Sequence, residues 1–299
     1  MSYSCYGLTI DSELSLPDLR LSPEADAGEA VQIRFAALAS GLENCGGKQI
    51  GPYLWAAPGL LQFFVPNVAR YQIEQGRAIT VDPVRGSDEA SIRAFLLGAA
   101  LGALLIQRGH LVLHGTAIRV GAQVMACVGG SGAGKSALAA GFLRRGYSIV
   151  ADDVVALDGD FRVLPGFPCL KLWPDVAERL NIPTEGLPRV RPNIDRLDLP
   201  LGQAFSSELL PIRWIYVLSS HNQPTFEFAP ICGLERFQSL FNNSYRTRYF
   251  EGMMMQAEHL QLCSQLDKRI HLRHVKRPEH GLDVNGLVDR VLSDIAALP

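Results

Sequence analysis

Over the first 82 residues the apolar positions come in short bursts, YGLTI, AVQIRF, YLWAA, LLQFFV, ARYQI and AITV, broken by Pro, Gly and Asp. Runs of four to six residues rich in β-branched and aromatic side chains, each bounded by turn formers, predict the strands of a small, largely antiparallel β module. The texture changes at DPVRGSDEASIRAFLLG, where Asp82-Pro83 and Gly86-Ser87 punctuate the chain and Ser87 or Asp88 is placed to cap a helix. The next apolar run, Ala94 to Ile106, has 13 residues. A membrane span needs roughly 20, so the run predicts a buried core helix. The domain boundary is placed here: a mainly β N-terminal domain over 1–85 and a larger unit over 86–299.

From Leu111 the pattern becomes strand (LVLHGTAI), strand (QVMACV), glycine loop, helix (Ser136 to Arg145) and strand (Tyr147 to Ala151). Beyond Val155 come RVLPGFPCLKLW, a helical PDVAERLN, a proline- and arginine-rich stretch and a buried strand IRWIYVL, with helical segments to the end. Residues 183 to 207 lack apolar periodicity and predict a mobile loop. Neither an internal repeat nor a low-complexity tract interrupts this order, and the fold class it implies is α/β.

Composition narrows the classes of function. A chain of 299 residues, 47% hydrophobic and 19% charged, can bury a sizeable core, and a formal charge of −2 lacks the basic footprint of a general nucleic-acid binder. Cysteines at 5, 45, 127, 169, 232 and 263 have no C-x-x-C spacing, which argues against a zinc site and for reduced, mostly buried thiols. The N-terminus MSYSCYGLTIDSELSLPDL has neither a basic nor an apolar leader region. A cytoplasmic protein without membrane or nucleic-acid partners is expected, and a homo-oligomer is left open.

Candidate chemistry sits in CVGGSGAGKSALAAGFLRRGYSIVADDVV, residues 127 to 155. Gly129, Gly130, Ser131, Gly132, Ala133, Gly134, Lys135 and Ser136 fit G-x-x-x-x-G-K-[ST], after an apolar strand and before a helix. Glycines let backbone amides wrap a phosphate, a helix N-terminus favours its charge, Lys135 reaches the β/γ-phosphates and Ser136 meets Mg²⁺. ATP with Mg²⁺ is the expected cofactor pair. A helix climbing about 1.5 Å per residue and a strand returning at about 3.3 Å per residue bring Asp152 and Asp153 back level with the loop. A right-handed crossover would set the returning strand beside the first. If the chain stays extended, the two acids face opposite ways and have different tasks. His114, at the end of LVLHG, can reach the same place.

In that order and spacing, LHGTAI, GGSGAGKS and RRGYSIVADDV resemble the catalytic domain of the HPr kinase/phosphorylase family, over residues 110 to 156. The resemblance implies a P-loop kinase core of the HPr kinase catalytic-domain type, carrying a small, mainly β N-terminal domain. It implies His114 as the active-site histidine, Lys135 and Ser136 as the phosphate and Mg²⁺ residues, and Asp153 as the acid that takes the serine proton. Asp152 would then hold Mg²⁺ directly or through water, and His114 would donate to a phosphate oxygen. The family's Glu-Ile-Arg-Gly signature has no counterpart, since FPCLKLWPD occupies that stretch. YGLTIDSELSLPDL, GFPCLKLW and LFNNSYR look instead like the HPr-kinase-like proteins encoded with lasso-peptide precursors, which implies a precursor peptide as partner and its terminal serine as acceptor.

Arg189, Arg191 and Arg196 flank prolines, and Arg246 and Arg248 follow NNSY. Any of them suits bidentate contact with a phosphate or carboxylate. KRIHLRHVKR, 268 to 277, reads as a half-exposed strand with a solvated basic face. Three classes stay open: a peptide or protein serine kinase, including an HPr-type kinase; a P-loop small-molecule kinase; and a nucleotide-binding module without turnover.

Overall fold

Why the early apolar bursts become strands is visible in the computed structural model, which describes residues 1–22, 30–42 and 46–298. The strands are β1 Ser2–Cys5, β2 Leu8–Ser12, β3 Arg20–Leu21, β4 Val31–Phe35, β5 Lys48–Gly51, β6 Leu54–Ala57, β7 Leu60–Val65, β8 Ala69–Glu74 and β9 Ala78–Pro83. They form one nine-stranded sheet in the order β3-β1-β2-β4-β9-β8-β7-β6-β5. Its pairings are antiparallel except β2 with β4 and β4 with β9. Period-two alternation puts Ile10, Tyr71, Ile73, Ile79 and Val81 on one buried face.

That face is covered by the helix Glu89–Gln107. Asp88 caps it by accepting from the Ser91 amide at 2.8 Å. The helix ties to the sheet at both ends, Tyr71 Oη donating to Ile92 O at 3.0 Å and Gln107 Nε2 to Ile73 O at 3.0 Å. It is long and apolar enough to cross a membrane by length and composition, and 72% of its apolar window is buried inside the protein. Leu96, Leu97, Leu101, Leu104 and Leu105 are each almost wholly buried. At roughly 1.5–3 kcal/mol per buried leucine, this packing binds the first sheet to the rest of the chain. A π-helical turn, Leu96–Ala100, interrupts the helix, and Gly102 lets the Tyr245 ring approach: a Cβ there would lie 2.5 Å from Tyr245 Cε1.

The second sheet comprises β10 Leu111–Val120, β11 Gln123–Gly129, β12 Ile149–Leu157, β13 Arg162–Val163, β17 Leu210–His221, β18 Glu227–Pro230 and β19 His271–Pro278. β10 lies between β11 and β12 and is antiparallel to both. β11 pairs parallel with β17, and β17 parallel with β19. The short β13 closes the opposite end, pairing Leu157 and Leu210. Helices Lys135–Arg144 and Val284–Ala297 cover one face, and Leu234–Asn242 and Gln256–Asp267 the other.

Three expectations are corrected. The strand after the glycine-loop helix neighbours β10, not β11, because the hairpin β10–β11 already occupies that edge. It also runs on through the acid pair to Leu157 instead of ending at Ala151. Residues 183 to 207, expected as a mobile loop, hold β15 Arg189–Arg191 and β16 Ile194–Pro200; β16 pairs with β14 Cys169–Leu172 on one side and β15 on the other, making a third sheet. Among the described residues Cys5, Cys127, Cys169 and Cys263 are buried and Cys232 is exposed, all as free thiols; Cys45 lies outside them. The protein is thus mixed α/β with three sheets.

Candidate active site

The glycine loop joins the end of β11 to the helix Lys135–Arg144 through conformations an L side chain resists: φ is +141° at Gly129, +77° at Gly132 and +106° at Gly134. Gly129 is also fixed by space, since a Cβ there would lie 2.4 Å from Leu218 O on the neighbouring β17. The loop therefore turns tightly and opens its amides at a helix N-terminus, where anions are favoured. Lys135 Nζ donates to Gly129 O at 2.8 Å and Gly130 O at 3.0 Å, so its ammonium is folded over the loop. Burial, foremost, lowers its pKa.

The basic run 268 to 277, expected on a solvated face, is different at its end. The structure puts Arg277 against the loop at the cleft, its Nε donating to Ala133 O at 2.7 Å and its Nη2 to Gly132 O at 2.8 Å. The guanidinium thus holds two loop carbonyls while itself lining the cleft. Only Arg277's place at the end of β19, beside β17, makes this contact, and no local pattern signals it.

Asp152 and Asp153 do have different surroundings, but not through simple alternation. Asp152 is buried, accepts from Thr116 Oγ1 at 2.6 Å and from the Lys171 amide at 3.0 Å, and its pKa is raised by burial first and by Asp153 next. Asp153 has φ +70°, so the backbone is not extended there. Its carboxylate lies 3.3 Å from His114 Nδ1 and 3.4 Å from Lys171 Nζ. Burial alone would raise its pKa, but Lys171, His114 and Arg196 outweigh it and hold the group below its ordinary 3.8. β10 and β12 register His114 opposite Val154 and Gly115 opposite Asp153, one residue along the ladder.

His114 Nδ1 is also 3.1 Å from Asp153 O. With two oxygen acceptors before it, Nδ1 carries the proton, and the neutral ring presents Nε2 as an acceptor. Burial, chiefly, lowers the His114 pKa below 6.5 against the pull of Asp153, which favours that neutral form. The backbone amide of His114 donates to Asn243 O at 2.9 Å and Tyr245 N to Val112 O at 2.8 Å, so the NNSYR segment lies as a strap along β10.

A cleft of about 400 Å³ is lined by His114, Lys135, Ser136, Asp152, Asp153 and Arg196 among others. Two further cavities meet it at Asp153, one of about 380 Å³ bounded by His114, Tyr245 and Arg246, the other of about 250 Å³ by Lys171, Arg191, Arg196 and Arg246. Arg196 Nη2 is 3.4 Å from Ser136 Oγ and 3.2 Å from Lys171 O, while its buried Nε has no hydrogen-bond partner. Arg246 stacks over Tyr245 and Tyr249, each at 5.6 Å, and Arg191 over Phe95 at 5.0 Å. Of the other arginines singled out from sequence, Arg189 pairs with the exposed Asp195 and Arg248 lies against β5 at Gly51; neither lines the cavities at Asp153.

Thr116 and Lys171 lie inside LHGTAI and GFPCLKLW, but neither is among the site residues expected from sequence. The available signal is a single cation inside the apolar run PCLKLW, where β14 buries its whole length.

The donor set suits a polyphosphate: loop amides, one ammonium, and the unpartnered Nε of Arg196 pointing to a missing acceptor. Among the described residues no group of three His, Cys, Asp or Glu side chains gathers to hold a metal. Ser136 and the acid pair at one cleft fit Mg²⁺, which keeps several waters and takes few protein ligands.

No family model matches the chain, and no curated protein matches it. Among solved structures it is similar to the HPr(Ser) kinase/phosphatase from Coxiella burnetii, with 11% identity, 62% of this chain and 96% of that chain covered, and a TM-score of 0.28. A likeness of that size carries neither a site nor a reaction across, so the chemistry rests on the residues themselves.

Proposed function

We propose that this protein is an ATP-dependent serine kinase acting on a ribosomal precursor peptide of the lasso-peptide kind, with residues 86–299 as the catalytic unit and 1–85 as a domain that helps present the substrate. The observation that carries the reading is the meeting of a phosphate loop with an ionised, cation-held Asp153 where three cavities join. A nucleotide in the large cleft and an acceptor in either smaller one would both reach that carboxylate.

Phosphoryl transfer asks mainly for positioning and for charge against the γ-phosphoryl oxygens. Lys135 supplies charge at the loop and Arg196 supplies it beside Ser136. Ser136, and Asp152 through water because its two oxygens each already accept a hydrogen bond, would hold Mg²⁺, which would supply charge against the phosphates. Asp153 accepts the serine proton. His114, whose Nδ1 meets Asp153 O and Oδ1, would orient that carboxylate.

A terminal serine brings a carboxylate beside its hydroxyl. Arg191 and Arg246, which have aromatic rather than carboxylate partners, support that reading, because each is left free to bind an anion in the cavity next to Asp153. The deciding experiment is transfer of label from γ-labelled ATP to synthetic peptides ending in serine, as free acids and as amides. Transfer to the free acids with a clear loss on amidation is expected. Label moving only to a metabolite or to an HPr-like protein would replace the peptide reading.

A further inference from the structure

A trench leads away from Asp153 that the chemistry at the phosphate loop does not use. The 250 Å³ cavity at Asp153 shares Ala94, Lys171 and Val190 with a cavity of about 190 Å³, bounded also by Leu97, Phe167 and Pro188. That cavity shares Pro17, Asp18, Cys169 and Asp198 with a third of about 370 Å³, which ends at Arg20 and Gly202. Its walls come from all three parts of the fold: the segment after β2, the helix Glu89–Gln107 and the β14–β16 sheet. They are mostly apolar along the middle.

Charge along the trench is lopsided. Its cations have partners: Lys171 pairs with Asp153 at 3.4 Å, Arg93 with Glu89 at 3.0 Å and Arg189 with Asp195 at 3.0 Å, and Arg20 lies over the Phe205 ring at 4.9 Å. Its two acids do not. Asp198 accepts only from the weak Cys169 Sγ donor at 3.4 Å, and neither Asp18 nor Asp198 forms an ion pair among the described residues. Burial foremost raises the Asp198 pKa, while Lys171, which faces it across β14 and β16 but pairs with Asp153, pulls it the other way.

We propose that this trench binds the acceptor polypeptide as an extended chain, with a lysine or arginine of that chain seated between Asp18 and Asp198 while its serine lies at Asp153. The inference rests on the peptide-kinase reading and deepens it. Spacing comes from register: Lys171 and Asp198 are directly opposed across β14 and β16, and the Lys171 ammonium reaches Asp153. Opposed Cα atoms are about 5 Å apart, so Asp198 stands on the order of 10 Å from Asp153 once the lysine side chain is spanned. An extended chain advances about 3.3–3.6 Å per residue, which places the cation two to four residues from the serine.

The test uses the full-length protein and decapeptides of alanine and glycine ending in serine, each with one lysine or one glutamate at a successive upstream position. Rates of label transfer from ATP and binding by fluorescence anisotropy are both read. Lysine should beat glutamate by about tenfold or more in kcat/KM at a position two to four residues before the serine, and Asp18→Asn with Asp198→Asn should flatten that preference. Asp18→Lys should turn it toward glutamate, a gain that misfolding does not produce. Equal rates for lysine and glutamate at every position, or a preference the variants leave unchanged, would overturn the trench while keeping the peptide kinase. Absence of both binding and transfer to every peptide, with turnover on a metabolite, would overturn the kinase reading and this inference with it.

Discussion

Lys171 serves both acids at once: its ammonium stands 3.4 Å from Asp153 Oδ2, and its backbone amide donates to Asp152 Oδ2 at 3.0 Å. β14 thereby fixes the spacing of the pair. The ammonium heads the influences that hold the Asp153 pKa below 3.8 against burial. Asp153 is therefore unprotonated throughout the neutral range, and its activity as a base should fall only as pH drops below 3.8. Lys171→Met keeps the amide and removes the charge, leaving burial uncompensated, so the acid limb of the pH–kcat profile should move upward. Lys171→Arg should restore most of the shift. An unmoved limb in Lys171→Met would show that the ion pair does not set the state of Asp153.

The two acids should fail differently. Asp153→Asn removes the proton acceptor and should cost roughly 10²–10⁴ in transfer rate, with Mg-nucleotide affinity kept. Asp152→Asn has only one oxygen for the two donors Thr116 Oγ1 and Lys171 N. It leaves a buried donor facing an amide group at a cost of about 1–3 kcal/mol, and should lower both Tm and apparent Mg²⁺ affinity, the second rescued in part by added metal. Calorimetry with Mg²⁺ titration separates the variants. Rescue of Asp153→Asn by metal, with no rescue of Asp152→Asn, would exchange their roles.

What can be read from sequence is local. The glycine loop, its helix within a residue of Ser136 to Arg145, and the return to Asp152 and Asp153 lie within 29 positions, and helix rise and strand rise decide their geometry. Sheet order is different. β12 pairs with β10, thirty-odd residues upstream, because the β10–β11 hairpin comes first, and nothing between 127 and 155 records that. β15 and β16 are hidden because their prolines and arginines mask alternation, while β14, the outer partner of β16, lies 31 residues away at Cys169↔Pro200. Lys171 and Arg277 matter through such pairings, so neither has a local signature. Asp153's positive φ shows the same limit: an acid at the site departs from the extended backbone its own strand predicts.

Lys135→Ala should abolish phosphoryl transfer while leaving the fold intact. Its ammonium bonds only to Gly129 O and Gly130 O, which the loop's own turn already positions. Arg277→Ala should behave otherwise, because the guanidinium holds Gly132 O and Ala133 O of the loop in place. Nucleotide affinity should drop in Arg277→Ala even with Lys135 present. Circular dichroism with nucleotide titration checks both, and wild-type turnover in Lys135→Ala would remove the loop from the reaction.

His259 gives the fold a measurable pH dependence away from the reacting groups. Its ring stacks on Phe250 at 3.8 Å and Nε2 meets Ser244 Oγ at 2.9 Å, beneath the strap that carries Tyr245 and Arg246. Burial lowers its pKa from 6.5 to about 4. Between those values the unfolded chain takes up a proton that the folded protein refuses, so stability rises with pH across the window and is lost as pH falls from 6.5 toward 4. Replacing the ring with a group that cannot titrate should flatten that slope: in His259→Gln, Tm should start lower at pH 7, because the stacking is gone, yet decline less between pH 6.5 and 4. Melting curves across that range decide the matter. Parallel declines in the two proteins would mean that another group carries the proton linkage.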